Sequence, residues 1–149
     1  MEEASGYAMR GSGAGGLHMA RILVIDDSLS VLELVESILC NAGHEVFTAN
    51  SGKQGASILA SEPLDLVITD IYMPDQDGLE VIRQVHRMRT GLRVLAVSSA
   101  TEKSGLLRIA KALGAAGTLP KPFAIWELLD AVDTCLQGCT MPDERRTSA

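Results

Sequence analysis

The sequence predicts a doubly wound α/β fold, a five-stranded parallel sheet in the order 2-1-3-4-5 with helices on both faces. Three observations predict it. Five short strand-like runs, the first, third and fourth of them strongly apolar, alternate with five stretches of helical period, and Gly, Pro, Ser or Asp marks nearly every switch between them. Runs apolar at every position suit strands covered on both sides, and right-handed crossovers place the intervening helices on both faces of such a sheet. The third observation sets the order: the first and third runs end in carboxylates, Asp26-Asp27 and Asp70. This order lays those two ends side by side at the switch point, where open α/β sheets bind ligands.

Taken along the chain, residues 22–25 (ILVI) form the first strand, and Ser28 caps the helix after it. Val31, Leu34, Val35, Ile38 and Leu39 share one face of that helix, which ends at Gly43. Residues 45–49 read as the second strand. Ser51 starts the second helix, with Ala56, Ile58 and Leu59 on its apolar side and Pro63 as its stop. The third strand, 65–69, delivers Asp70, and the turn MPDQDG follows. The third helix turns Leu79, Ile82, Val85 and Met88 inward until Gly91 breaks it. Residues 94–98 make a fourth apolar strand ending in Ser98 and Ser99. A fourth helix, 102–113, offers Leu106, Leu107, Ile109, Ala110 and Leu113. A short strand, 117–119, leads to Lys121-Pro122-Phe123, and a last helix, 125–136, carries Ile125, Leu128, Leu129 and Val132 on one face before Gly138. Trp126 is expected as a half-buried packing residue beside Phe123, His86 as a solvated side chain, and His44 as part of a helix-to-strand turn.

Composition narrows the function. At 149 residues, 46% of them hydrophobic, the chain suits one domain with a real core. Residues 1–19, rich in Gly and Ser, are expected to be a disordered leader or expression remnant, and 139–149 a short flexible tail around the folded unit 20–138. Gly11, Gly13 and Gly16 match a dinucleotide-binding spacing, yet no strand precedes them as that motif requires. A net charge of −6, with no Lys/Arg cluster but Arg145-Arg146, argues against a nucleic-acid surface. No apolar stretch approaches the roughly 20 residues of a bilayer span. A cytoplasmic location is expected, and Cys40, Cys135 and Cys139 read as reduced thiols.

The carboxyl ends of the strands collect chemistry. Strand one contributes Asp26 and Asp27, strand three Asp70, strand four Ser98 and strand five Lys121. Three neighbouring carboxylates repel and raise one another's pKa unless a cation neutralises them, and an all-oxygen site suits magnesium. A carboxylate beside magnesium, an ammonium and a hydroxyl is also what an aspartyl-phosphate needs. The carboxylate attacks phosphorus while the others neutralise charge developing on its oxygens.

ILVIDDS, VITDIYMPDQDG, VLAVSS and LPKPF, in this order and spacing, resemble the receiver domains of bacterial two-component response regulators, stand-alone and chemotaxis-regulator-like. The resemblance covers residues 20–138 and implies a flavodoxin-like fold. It implies that Asp70 is the phosphoacceptor, with a histidine kinase or histidine phosphotransfer protein as donor. Asp27 would ligate magnesium directly, Asp26 directly or through water, and Tyr72 through its backbone carbonyl. Ser98 and Lys121 would contact the phosphoryl group, and the Lys121-Pro122 bond would be cis. The resemblance places a protein target on the face formed by helix four, strand five and helix five, with neither nucleic acid nor membrane as partner. It departs at Thr118, where the family usually carries an aromatic ring that swings inward on activation. It also implies that Tyr72 and Ala100 flank the path of water to phosphorus; neither positions water well, so a slowly decaying phosphoform is expected.

Two other functions fit parts of the pattern. A magnesium-dependent phosphohydrolase would also use an aspartyl nucleophile, but on the first strand, with a second acid two residues on and a cap for substrate. A receiver-like interaction module working without phosphorylation would account for Thr118. Acetyl phosphate with magnesium, followed by intact mass, separates the three: a stable adduct, turnover without adduct, or neither.

Overall fold

Side chains that point alternately to opposite faces along five short strands split the interior into two cores, one on each face of the sheet. In the computed structural model, residues 19–73, 78–88, 91–99 and 105–137 are described. The strands are β1 (Arg21–Ile25), β2 (Glu45–Ala49), β3 (Leu66–Asp70), β4 (Arg93–Ser98) and β5 (Gly117–Pro120). The helices are α1 (Leu29–Asn41), α2 (Gly52–Ser61), α3 (Gly78–Met88), α4 (Leu106–Ala112) and α5 (Ile125–Leu136). All strand pairs are parallel, in the order β2-β1-β3-β4-β5. The predicted fold class and strand order are therefore those of the molecule.

Ile22, Val24, Leu66, Ile68, Leu95 and Val97 turn to one face, where α1 and α5 cover them. Leu23, Ile25, Val67, Val94 and Ala96 turn to the other, under α2, α3 and α4. This is why the strands read as continuous apolar runs rather than alternating ones. Ser28 and Ser51 cap α1 and α2 as expected, accepting from the Val31 and Gln54 amides at 3.4 and 3.1 Å. Gly43 and Gly114 turn the chain out of α1 and α4 at φ of 99° and 115°, where a side chain would be strained. The Lys121-Pro122 peptide is cis, as the resemblance implied.

Several helix faces are rotated from those expected. Leu32 is buried in α1 while Leu34 is 54% exposed, and Val81 is buried in α3 while Met88 is exposed. In α5 the buried set is Leu128, Ala131, Val132 and Cys135, which leaves Ile125 outside. Trp126 is 69% exposed, not half-buried. A 3.6-residue period fixes which residues share a face, but the docking angle on the sheet decides which flanking residue goes under. The expected leader, apart from Met19, and the tail lie outside the described residues, as do Asp75, Asp77, Ala100, residues 102–104 and Cys139.

Away from the acidic edge, Arg21 ties three elements. Its guanidinium donates to Glu45 at 2.6 Å, Glu62 at 3.0 Å and the Pro63 carbonyl at 2.7 Å, and lies 5.0 Å from the Phe47 ring centroid. These pairs are partly exposed, so each contributes modestly. Arg21→Ala is expected to cost about 1–2 kcal/mol in urea denaturation.

His44 is buried, and its Nδ1 accepts the Ala20 amide at 3.1 Å. Burial pushes its imidazolium below the usual 6.5, against the pull of Asp133 and Asp65. The unfolded chain therefore binds the proton more readily than the native one. Stability is complete above pH 6.5 and falls as pH drops through the window between 6.5 and the lowered native value. Thermal unfolding at pH 7.5 and 5.5 should show this loss. His44→Asn, which keeps an acceptor that does not titrate, should flatten it.

Candidate functional site

Register brings the strand ends to one edge. Ile25 pairs with Thr69, Asp70 with Val97, and Ser98 with Pro120, so the residues that end β3 and β4 converge with those just past β1 and β5. Asp26 is buried beyond β1, its amide bonded to the Ala49 carbonyl at 3.1 Å, and Asp27 beside it is exposed. One oxygen from each of Asp26, Asp27 and Asp70 lies within 4.8 Å of the others. Lys121 Nζ donates to Asp26 Oδ2 at 2.8 Å and approaches Asp70 Oδ2 at 3.4 Å. All five predicted side chains with charge or hydroxyl chemistry thus belong to this edge, Ser98 ending β4 buried, with its backbone carbonyl accepting the Lys121 amide at 2.5 Å.

Backbone amides orient the acids. The Ser28 amide donates to Asp26 Oδ1 at 2.9 Å, and the Tyr72 amide to Asp70 Oδ1 at 3.1 Å. The sequence marked Ser28 only as a cap; its second task has no signal in composition. Tyr72 keeps its ring exposed, so its part in the cluster is played by backbone.

Burial raises the Asp70 carboxyl above its usual range, with Asp26 adding to the rise; the Tyr72 amide and Lys121 oppose it. For Lys121, burial pushes the ammonium down, but the hydrogen bond and charge of Asp26, with Asp70, outweigh it and raise the group. Lys121 therefore stays a cation.

Three carboxylates against one ammonium leave a formal excess of two negative charges within a few ångströms. An all-oxygen donor set with that excess fits a hard divalent cation such as Mg2+. The Ser98 hydroxyl is buried and has no hydrogen-bond partner among the described residues. A buried hydroxyl left unpaired costs stability, and here it lies where a phosphoryl oxygen would find a donor. Ser99, its neighbour, is exposed, and Thr118 stands half-buried in β5 opposite Ala96. Cys135 is buried in α5, where its thiol is pushed up to about 11 and is inert.

Residues 22–133 match the family model described as the response regulator receiver domain. The chain is 35% identical over 125 residues to the DNA-binding transcriptional regulator NtrC of Azospirillum brasilense, covering 83% of this chain and 25% of that protein. It is 36% identical over 129 residues to the response regulator MprA of Mycolicibacterium vanbaalenii, covering 87% and 55%. It is 31% identical over 112 residues to sporulation initiation phosphotransferase F of Bacillus subtilis, covering 75% and 90%. The match therefore spans a quarter of the first relative and about half of the second. Among solved structures, the chemotaxis response regulator CheY4 of Vibrio cholerae superposes with a TM-score of 0.69 at 34% identity, over 78% of this chain and 98% of that one. A putative response regulator from Chloroflexus aurantiacus gives 0.75 at 28% identity, over 80% and 99%. No helix among the described residues is long and apolar enough to cross a membrane.

Proposed function

Because this chain belongs to the response regulator receiver domain family, we propose that it accepts a phosphoryl group on Asp70 from a phosphohistidine, on a histidine kinase or histidine phosphotransfer protein, and signals through altered protein binding. The convergence of Asp26, Asp27, Asp70 and Lys121 on one sheet edge carries this reading. Asp26, Asp27 and Asp70, with the Tyr72 backbone carbonyl, would hold Mg2+, which when bound neutralises charge among the carboxylates and on the phosphoryl oxygens.

An ionised Asp70 oxygen forms the new bond to phosphorus while the bond from phosphorus to the donor imidazole nitrogen breaks. The Tyr72 amide holds Asp70 Oδ1 at 3.1 Å, which aims the carboxylate before the donor arrives. Lys121 supplies a cation 3.4 Å from Asp70 Oδ2, and the unpartnered Ser98 hydroxyl supplies a donor for a phosphoryl oxygen. Exposed Ile109, Ile125 and Trp126 support a protein target on the α4, β5 and α5 side.

Incubation with acetyl phosphate and Mg2+, read by intact mass, tests the proposal: one added phosphoryl group is expected. Turnover without adduct would instead indicate a phosphohydrolase. Thr118 in place of a ring favours one other reading, an interaction module that needs no phosphate, and absence of both adduct and turnover would favour it.

The adduct should decay slowly, because Tyr72 is bulky and Ala100 has no group to hold an attacking water. The double variant Tyr72→Asn/Ala100→Glu is expected to lose its phosphoryl group about 10-fold faster in a time course by mass. Equal or slower decay would show that Tyr72 is no shield.

A further inference from the structure

Thr69, one residue before Asp70, is fully buried yet polar, and no part of the site chemistry uses its hydroxyl. Its Oγ1 donates to the Asp70 backbone carbonyl at 3.0 Å. The β1–β3 register ends at the Ile25 and Thr69 pair, so Asp70 lies one step past the last paired residue on that side. The same carbonyl also lies against the bare Cα of Gly78, the first residue of α3, which covers the face to which Thr69 turns. A Cβ there would overlap the Asp70 carbonyl and crowd Ile71 Cα. The peptides that follow are held as well. The Ile71 amide donates to the Val97 carbonyl at 2.9 Å, the Gly78 amide to the Ile71 carbonyl at 3.2 Å, and the Tyr72 amide to Asp70 Oδ1.

We infer that Thr69 and Gly78 form a clasp on the Asp70 carbonyl and act as positioning residues for the Asp70 carboxylate. The peptide plane between Asp70 and Ile71 cannot turn without breaking the Thr69 bond or striking α3. Fixing that plane restricts the Asp70 backbone and hence the direction of its Cα–Cβ bond. A nucleophile attacking in line with a leaving group is sensitive to such aim: misplacement by about 1 Å costs on the order of 10²-fold in rate. Both residues meet the Asp70 backbone and act through it.

The inference rests on Asp70 as phosphoacceptor, and the test separates the two. Labelling by acetyl phosphate at saturating Mg2+ is followed by mass in the wild type, Thr69→Val and Thr69→Ser, with thermal unfolding alongside. Val keeps the branched shape and removes only the hydroxyl; Ser keeps the hydroxyl. Thr69→Val is expected to lower the maximal rate about 10-fold with the labelled fraction still reaching completion, and Thr69→Ser to restore it to within about 2-fold. A residue important only for folding would lower the unfolding temperature and the active fraction, leaving the rate constant of folded molecules unchanged. Gly78→Ala should slow labelling in the same sense; should it fail to fold, the Thr69 pair decides. Wild-type labelling with an unaltered rate in Thr69→Val overturns the clasp alone. Absence of labelling in the wild type overturns the phosphoacceptor and the clasp together.

Discussion

Asp70→Asn is expected to abolish phosphorylation, by at least about 10³-fold, with the fold intact. The amide fills the space of the carboxylate but offers no anionic oxygen to attack phosphorus. Stability should not suffer. Asp70 is buried beside Asp26, which pushes its carboxyl further above the usual range, so a neutral group there relieves a repulsion. Lys121 keeps its shorter bond to Asp26 at 2.8 Å, so the ammonium does not lose its counter-ion. Intact mass after acetyl phosphate gives the first outcome and a melting curve the second. Labelling of Asp70→Asn at the wild-type rate would place the phosphoacceptor elsewhere.

Lys121→Gln is expected to have the next largest effect, because one ammonium serves two carboxylates. Its removal leaves Asp26 and Asp70 facing each other with the buried charge uncompensated. Breaking such a pair from one side costs more than the pair contributes, here about 2 kcal/mol after allowance for partial exposure of the lysine. The labelling rate should fall about 10²-fold through loss of a cation near the charge that develops on transfer. The pH profile should move as well. Lys121 is one of two groups holding the Asp70 carboxyl down against burial, so without it the carboxyl rises further, and ionised nucleophile is lost at a higher pH as acid is added. The acid limb of the labelling profile therefore shifts to higher pH. Because added Mg2+ can neutralise the same carboxylates, it should raise the melting temperature more in Lys121→Gln than in the wild type. An unchanged acid limb would show that Lys121 does not tune Asp70.

Much of this was legible in the sequence. Strand and helix alternation, the caps at Ser28 and Ser51, and the exits at Gly43 and Gly114 depend on local rules: side-chain period, capping oxygens and the φ that only glycine adopts easily. The order of Asp26, Asp27, Asp70, Ser98 and Lys121 at strand ends was legible for the same reason, since a parallel sheet must deliver every carboxyl end to one edge. The faces were harder. Leu34 against Leu32, and the outward Ile125 and Trp126, turn on how each helix lies on the sheet, and neighbouring residues in one helix sequence do not encode that angle.

The chain's own sequence thus determined the fold class, the strand order and which charged and hydroxyl side chains end the strands, because apolar runs and helical periods are local patterns and the acids ending the first and third runs select the order that brings them together. Only the tertiary structure decided that Lys121 lies nearer to Asp26 than to Asp70, that the Ser98 hydroxyl is left without a partner, and that Thr69 and Gly78 meet on one carbonyl. Several of those distances join atoms from elements far apart in the chain, and all of them are set where strands and helices pack, to within an ångström that no local pattern records.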